Sequence, residues 1–230
     1  LSLERIFSNV IKLMVQYHQP LLKGVGITIL LSVFVVFFGL VFGTVVAFMK
    51  MSNFSIGKFK PLNAIATAYI EVLRGTPLLL QLYFFYFLMP ALIPALGDEK
   101  ISITVALIIN SSAYVAEIVR SGIMAVDPGQ AEAARCLGLS QSQTMTKIII
   151  PQAVKNILPA MGNELVMMVK ESSLASTFYL GEIMSQQKII GGATYLQIET
   201  LIISAILYLI LTASLSKLVG IYERRLAVSD

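Results

Sequence analysis

From Gly24 to Met49 the chain carries no charged residue, and from Gly75 to Gly97 it again carries none. About 20 apolar residues in a helix cross the hydrocarbon core of a bilayer, so each run is long enough to do so. Lipid offers no hydrogen bonds, and only helices or closed barrels satisfy every backbone group there. Barrel strands alternate apolar and polar residues with a period of two; these runs do not. Composition points the same way. Of 230 residues, 57% are hydrophobic and 13% charged, against roughly a quarter charged in a soluble domain. Mean hydropathy is +0.81. The expected fold class is all-α, a polytopic membrane helical bundle.

The size of the chain excludes further classes. Five spans use about half of the residues at about 20 each, and connecting loops take the rest. No nucleotide-binding domain fits beside them, and no G-x-x-x-x-G-K-[ST] phosphate loop is present. Energy from ATP would have to come from a partner. A single cysteine, Cys136, excludes an internal disulfide, and a single histidine, His18, leaves no recognisable metal cluster. The net charge of +4 reads as loop bias that orients a membrane chain, with no support for nucleic-acid binding.

The whole chain, 1–230, reads as one transmembrane domain. Residues 1–23 carry Glu4, Arg5, Lys12 and Lys23 among apolar residues, a pattern too interrupted for a signal peptide and suited to an amphipathic surface helix. The first span covers about 24–49. The second hydrophobic region, 61–97, holds Arg74-Gly75-Thr76-Pro77. Pro77 removes a backbone donor and Gly75 loosens the same turn, so one long kinked helix is expected. An irregular loop with Pro90, Pro94 and Asp98-Glu99-Lys100 should follow it. The third span covers 101–123, the fourth 157–180 and the fifth 200–221, with a mixed loop over 181–199. Placing the N-terminus outside puts Lys50, Lys58, Lys60, Arg120, Arg135, Lys147, Lys155, Lys217, Arg224 and Arg225 inside. Arg5, Lys12, Lys23, Lys100 and Lys188 then lie outside. The excess of inner cations favours an outer N-terminus and a cytoplasmic C-terminus, although three basic residues before the first span pull the other way.

Residues 127–151 form the one substantial polar segment. Asp127-Pro128 is a helix start, with Asp as N-cap and Pro at the first helical position. Ala131-Glu132-Ala133-Ala134-Arg135 is strongly helix-forming, and Gly138 suits a left-handed stop. Ser140-Gln141-Ser142-Gln143 reads as a capping box for a second helix, expected to end before Pro151. Such a helix pair is either an ordinary amphipathic linker or a shape for another protein to grip.

Glu132-Ala133-Ala134, Gly138 and Ile148-Ile149-Ile150-Pro151 resemble the EAA loop of ABC importer permeases: E-A-A, three residues, G, nine residues, I-x-L-P. Ile150 stands where Leu is usual. Glu71-Val72-Leu73-Arg74-Gly75-Thr76-Pro77-Leu78, Asn110 through Glu117, and Lys170-Glu171-Ser172-Ser173-Leu174 resemble the polar amino acid subfamily, whose members import histidine, arginine, glutamine, glutamate or cystine. The resemblance covers about 21–226. It implies the type I importer permease fold with five spans, set in the bacterial cytoplasmic membrane. It implies a second permease subunit, identical or not, two ABC ATPase subunits that hold ATP and Mg, and an extracytoplasmic amino-acid-binding protein. It implies no cofactor on the chain itself and no enzymatic site of its own. By resemblance, Glu132, Ala133, Ala134, Gly138 and Pro151 belong to the loop that docks on the ATPase.

Ionisable groups at bilayer depth mark a pathway or a buried pair. Asn110, Tyr114 and Glu117 recur at i, i+4 and i+7, on one helix face. Asn163, Met167 and Lys170 form a second stripe, and Glu164, Met168 and Glu171 the stripe beside it. A zwitterionic amino acid needs an anion for its ammonium and donors for its carboxylate. Glu164 and Glu171 could supply the first, and Asn110, Tyr114 or Asn163 part of the second. The alternative is structural: Lys170 and Glu171 paired across a subunit interface, and Glu117 beside Arg120 at the cytoplasmic end. Glu71 and Arg74, at i and i+3, suit a salt bridge beside the Gly75–Pro77 kink. A competing reading is an ion-coupled secondary transporter with a proton on Glu117, Glu164 or Glu171. A membrane-embedded enzyme finds no nucleophile–base pair.

Overall fold

The computed structural model describes residues 2–94 and 97–227. Helix follows helix: α1 (Leu3–Gln16), α2 (His18–Met51), α3 (Pro61–Gly75), α4 (Leu78–Leu92), α5 (Glu99–Met124), α6 (Pro128–Cys136) and α7 (Gln141–Thr144). A π-helical turn (Met145–Ile149) leads into α8 (Ile150–Glu171). A 3-10 stretch (Ser172–Phe178), α9 (Ile183–Thr194) and α10 (Gln197–Ala227) complete the order. Among the described residues, extended pairing is limited to one bridge, Ile56 to Phe59.

Helices α2, α5 and α10 are each long and apolar enough to cross a membrane. Helices α3 and α4 qualify only together, bent by 107° at their junction. This is a sharper break than the kink read from the sequence. Thr76 lies extended at φ −117° and ψ 146°, the conformation that the ring of a following proline imposes. Its hydroxyl donates to the Val72 carbonyl at 2.8 Å, ending α3 cleanly. Three expectations are corrected. Pro90 lies inside α4 rather than in a loop. The second helix of the polar segment does not stop before Pro151; it passes through the π-turn into α8. The fourth apolar segment therefore starts at Ile150 and leaves α-helical geometry at Glu171, not at 180. Residues 95 and 96 of the expected loop lie outside the described residues.

Packing divides the chain into two units. One draws on the chain up to Val36, on Leu78–Ile108 and on Leu165–Ser216. In it, Val10 and Leu13 of α1 bury against Leu21, Ile190 and Ile203. Leu3, Phe7, Ile11 and Val15, spaced by four on another face of α1, remain exposed, as a helix lying at a membrane surface requires. Tyr179 and Gly181, at φ 51° and 92°, turn the chain into α9. Glu182 caps that helix from a fully buried position, accepting from the Ser185 amide at 2.7 Å and the Met184 amide at 2.6 Å. The Ser185 hydroxyl at 2.6 Å and the Tyr208 hydroxyl at 3.1 Å also donate to it.

The other unit draws on Phe37–Pro77, Ile109–Glu164 and the chain from Lys217. Its core joins Ala47 and Ile70 to Val115, Ala116, Val119 and Ile123 of α5, and to Ile149 and Ala153. Gly39 and Gly43 let α2 approach α5 closely. A Cβ on Gly43 would lie 2.7 Å from the Ser112 carbonyl oxygen and 2.9 Å from Val115 Cβ. Backbone cannot yield there. Gly43→Leu is therefore expected to leave no folded protein in membranes. Gly43→Ala should cost about 1–3 kcal/mol by overpacking, read as lower thermal stability of the purified chain.

Candidate functional site: a polar corner and a polar helix face

The 127–151 segment builds a rigid corner from local chemistry. Asp127 Oδ1 accepts from the Gly129 amide at 2.7 Å, and Pro128 occupies the first position of α6. At the other end Leu139 N donates to Ala134 O at 3.1 Å and Gly138 N to Arg135 O at 3.0 Å. That pair of bonds is a Schellman motif, which requires a left-handed residue; Gly138 sits at φ +81°. The capping box is complete. Gln143 N donates to Ser140 Oγ at 3.3 Å, and Ser140 N donates to Gln143 Oε1 at 2.9 Å.

Pro151 has no amide proton to donate to the Lys147 carbonyl and its ring crowds that oxygen. The π-turn over Met145–Ile149 widens the helix just there, so the chain continues instead of breaking. Ala134 is buried, and Ala131, Met145 and Ile148 pack on the core of α5. The opposite surface presents Glu132, Ala133, Arg135, Cys136 and Leu137. Leu137 is 83% exposed at the tip.

In the same unit, α5 and α8 are tied by a polar contact. Ser111 Oγ donates to Glu164 Oε1 at 2.8 Å. Asn110 is buried beside it in sequence. Tyr69 of α3 donates to the Ile109 carbonyl at 3.1 Å, and its hydroxyl lies 2.6 Å from Ser112 Oγ. Tyr114 faces Arg74, whose guanidinium carbon lies 5.3 Å from the ring centroid. The expected Glu71–Arg74 salt bridge is thus replaced by a cation–π contact. The ion pairs among the described residues are Lys50 to Glu117 at 2.6 Å and Arg120 to Glu117 at 2.9 Å.

Glu117 is clamped between two cations, a poor setting for a mobile proton. Asn163, Met167 and Lys170 are exposed along α8, so that stripe is open in the single chain. Glu171 is half-buried and packs in the other unit. Sequence reasoning passed over Tyr69, Ser111, Ser112 and Lys50 as site residues. A run of two serines opposite the small residues Gly39 and Gly43 was the available signal, since a Cβ on Gly39 would come within 2.9 Å of Ser111 Oγ.

Glu182 belongs to the unit that contains α9 and the start of α10. Burial pushes its carboxyl above the usual carboxylate range, against the pull of its four donors.

Among the described residues the chain is a helical bundle with apolar spans and an exposed polar helix corner. Residues 39–228 match the family of binding-protein-dependent transport system inner membrane components, and the chain belongs to it. It is 40% identical over 210 residues to the arginine transport system permease protein ArtQ of Bacillus subtilis (strain 168), covering 91% of this chain and 94% of that one. It is 39% identical over 209 residues to a putative glutamine transport system permease protein, GlnP, of Rickettsia bellii (strain RML369-C), with the same coverage of 91% and 94%. A crystal structure of an amino acid ABC transporter with histidines superposes with a TM-score of 0.84 at 44% identity, over 92% of this chain and 96% of that one. The MetNI methionine ABC transporter, 19% identical with a TM-score of 0.72 over 90% of this chain and 98% of that one, shares the fold. The chain is a multi-pass inner-membrane permease of the ABC importer kind.

Proposed function

We propose that this chain forms the translocation pathway of an ATP-driven importer for a polar, cationic or neutral L-amino acid. The reading is carried by the corner at Leu137–Gly138. It is locked by a Schellman motif and a capping box, and it offers an exposed leucine beside the exposed Arg135. A partner groove would take that leucine as a buried anchor ringed by polar contacts. Glu132, Ala133, Ala134, Gly138 and Pro151 then present and support the docking surface for two cytoplasmic ATPases. ATP and Mg would be held by those subunits and none by this chain. A second permease subunit would complete the pathway, and an extracytoplasmic binding protein would deliver the amino acid. The N-terminus lies outside and the C-terminus in the cytoplasm, with α8 as the remaining crossing.

In this scheme Glu164 meets the substrate ammonium, with Glu171 further along the same helix. Asn110, Tyr114 and Asn163 supply polar contacts to the carboxylate. Glu71, Arg74, Gly75 and Pro77 shape the wall at the α3–α4 break. Two acidic groups favour a cationic or neutral amino acid over glutamate. The identities of the relatives above support an amino acid as cargo.

The test is uptake by the complete complex in proteoliposomes. Leu137→Asp should lower ATP-driven uptake at least about tenfold, since a buried unpaired charge is costly, while helical content and yield stay unchanged. Uptake that survives Leu137→Asp, or that runs on a proton gradient without ATP, would overturn the reading. Glu164→Gln should raise the KM for a cationic amino acid, and unaltered specificity would remove Glu164 from the site.

A further inference from the structure

The unit containing the N-terminal helices holds a groove that lies outside the proposed transport site. It measures about 630 Å³ and runs along α2. Lys23 and Lys100 stand in its lining with Ile27, Leu30, Phe34 and Leu180. Lys23 is the last charge before the uncharged run of α2, and Lys100 is the second residue of α5. Both therefore mark the level where a span leaves the membrane surface.

From the structure we infer that this groove binds one acyl chain of an anionic phospholipid, with the headgroup phosphate between Lys23 and Lys100. Three observations carry it. First, the polarity gradient is that of an amphiphile: cations at the surface end, aliphatic and aromatic side chains below. Second, the length fits. Eleven residues separate Lys23 from Phe34, about 16 Å along a helix at 1.5 Å per residue, and half of a hydrocarbon core is about 15 Å. Third, the charge fits. No carboxylate lines the groove, and neither lysine is among the ion pairs of the described residues.

The groove is also not a packing fault. The neighbouring face of α2 is fully engaged, with Gly24 against Ile183 and the Ile183 amide donating to Thr28 Oγ1 at 3.2 Å. A free amino acid does not suit apolar walls that would leave one of its charges unpaired. A helix from another protein would have to bring its own anion to the two lysines. The site rests on the membrane reading of α2 and α5 but not on the import reaction; the proposed orientation only names its leaflet as the outer one.

The chain contains no tryptophan, so Phe34→Trp gives a single fluorescent reporter in the groove. The full chain carrying it is reconstituted into vesicles of brominated phosphatidylcholine or brominated phosphatidylglycerol, and mixtures of each with unbrominated lipid. Quenching at this position should report a preference for phosphatidylglycerol of at least about fivefold, the contribution of one surface lysine. Lys23→Gln with Lys100→Gln should reduce that preference to near unity while the acyl chain still quenches. Gly26 also lines the groove, and a Cβ there has nothing within 4 Å. Gly26→Leu should therefore fill the space and weaken quenching without unfolding the chain. A Phe42→Trp reporter outside the groove should show no headgroup preference. Equal quenching by both lipids in the groove would overturn the proposal. So would a preference of the same size at Phe42→Trp, or no quenching by either, which would mean that protein occupies the groove. None of these outcomes depends on ATP-driven uptake.

Discussion

Gly138→Val should lower ATP-driven uptake about tenfold or more, and Gly138→Asn should restore most of it. The reason is conformational. Nothing lies within 4 Å of a Cβ built on Gly138, so no contact is lost or crowded by either side chain. The backbone, however, sits at φ +81°. A left-handed conformation costs an ordinary L-residue about 1–2 kcal/mol, and a β-branched one more, while each 1.4 kcal/mol is a factor of about ten in a population. Valine therefore opens the Schellman turn and lets α6 swing away from α7, carrying Leu137 with it. Asparagine visits left-handed geometry readily and keeps the turn. Uptake and ATPase activity of the assembled transporter are the measurements, with circular dichroism as a check that the bundle persists. Equal losses in the two variants would show that the space at Gly138, not its backbone, matters.

Glu182→Ala should be strongly destabilising. Its carboxylate receives four donors: the Met184 and Ser185 amides and the Ser185 and Tyr208 hydroxyls. Alanine removes a helix cap and strands buried donors, a loss on the order of 3 kcal/mol. Glu182→Gln should lose less, because its remaining oxygen still accepts from one backbone amide and one hydroxyl, while its NH2 group faces the other amide as a second donor. A fluorescence-detected melting curve of the purified chain distinguishes them. The pH dependence has a definite sign. The folded carboxyl titrates above its ordinary range because burial disfavours the charge. Its contribution is therefore fully present below the ordinary carboxylate range and is lost as pH rises through the raised value. Glu182→Gln should flatten that decline.

Chemistry confined to a few neighbouring residues was legible in the sequence. The cap at Asp127-Pro128, the stop at Gly138 and the box at Ser140–Gln143 each need only local partners, and each forms. The break at Gly75–Pro77 follows from one proline acting on Thr76. What escaped were the outcomes decided by distant residues or by a compromise within the helix. Arg74 has Glu71 one turn away yet lies over Tyr114, because α5 brings an aromatic face that spacing along α3 cannot reveal. Glu117 beside Arg120 was readable from i and i+3, but its second cation, Lys50, comes from the far end of α2. Glu182 was read as part of a mixed loop, since nothing in its neighbours announces that Tyr208 will close over it. The stop expected at Pro151 failed for a different reason: a wider turn removes the clash that would otherwise end a helix.

That last point has a mechanical meaning. From Gln141 to Glu164 the backbone is continuously helical, and all 24 residues belong to one packing unit. At 1.5 Å per residue this is a lever about 35 Å long. A loop at Pro151 would have been a soft joint, absorbing whatever displacement arrived at one end. Without it, a tilt of roughly 10° imposed at the Gly138 corner carries the far end about 6 Å where the helix holds straight through Pro159, which lies inside α8. The side chain at that far end is Glu164, so leverage from the surface of the bundle reaches its polar interior through covalent helix alone.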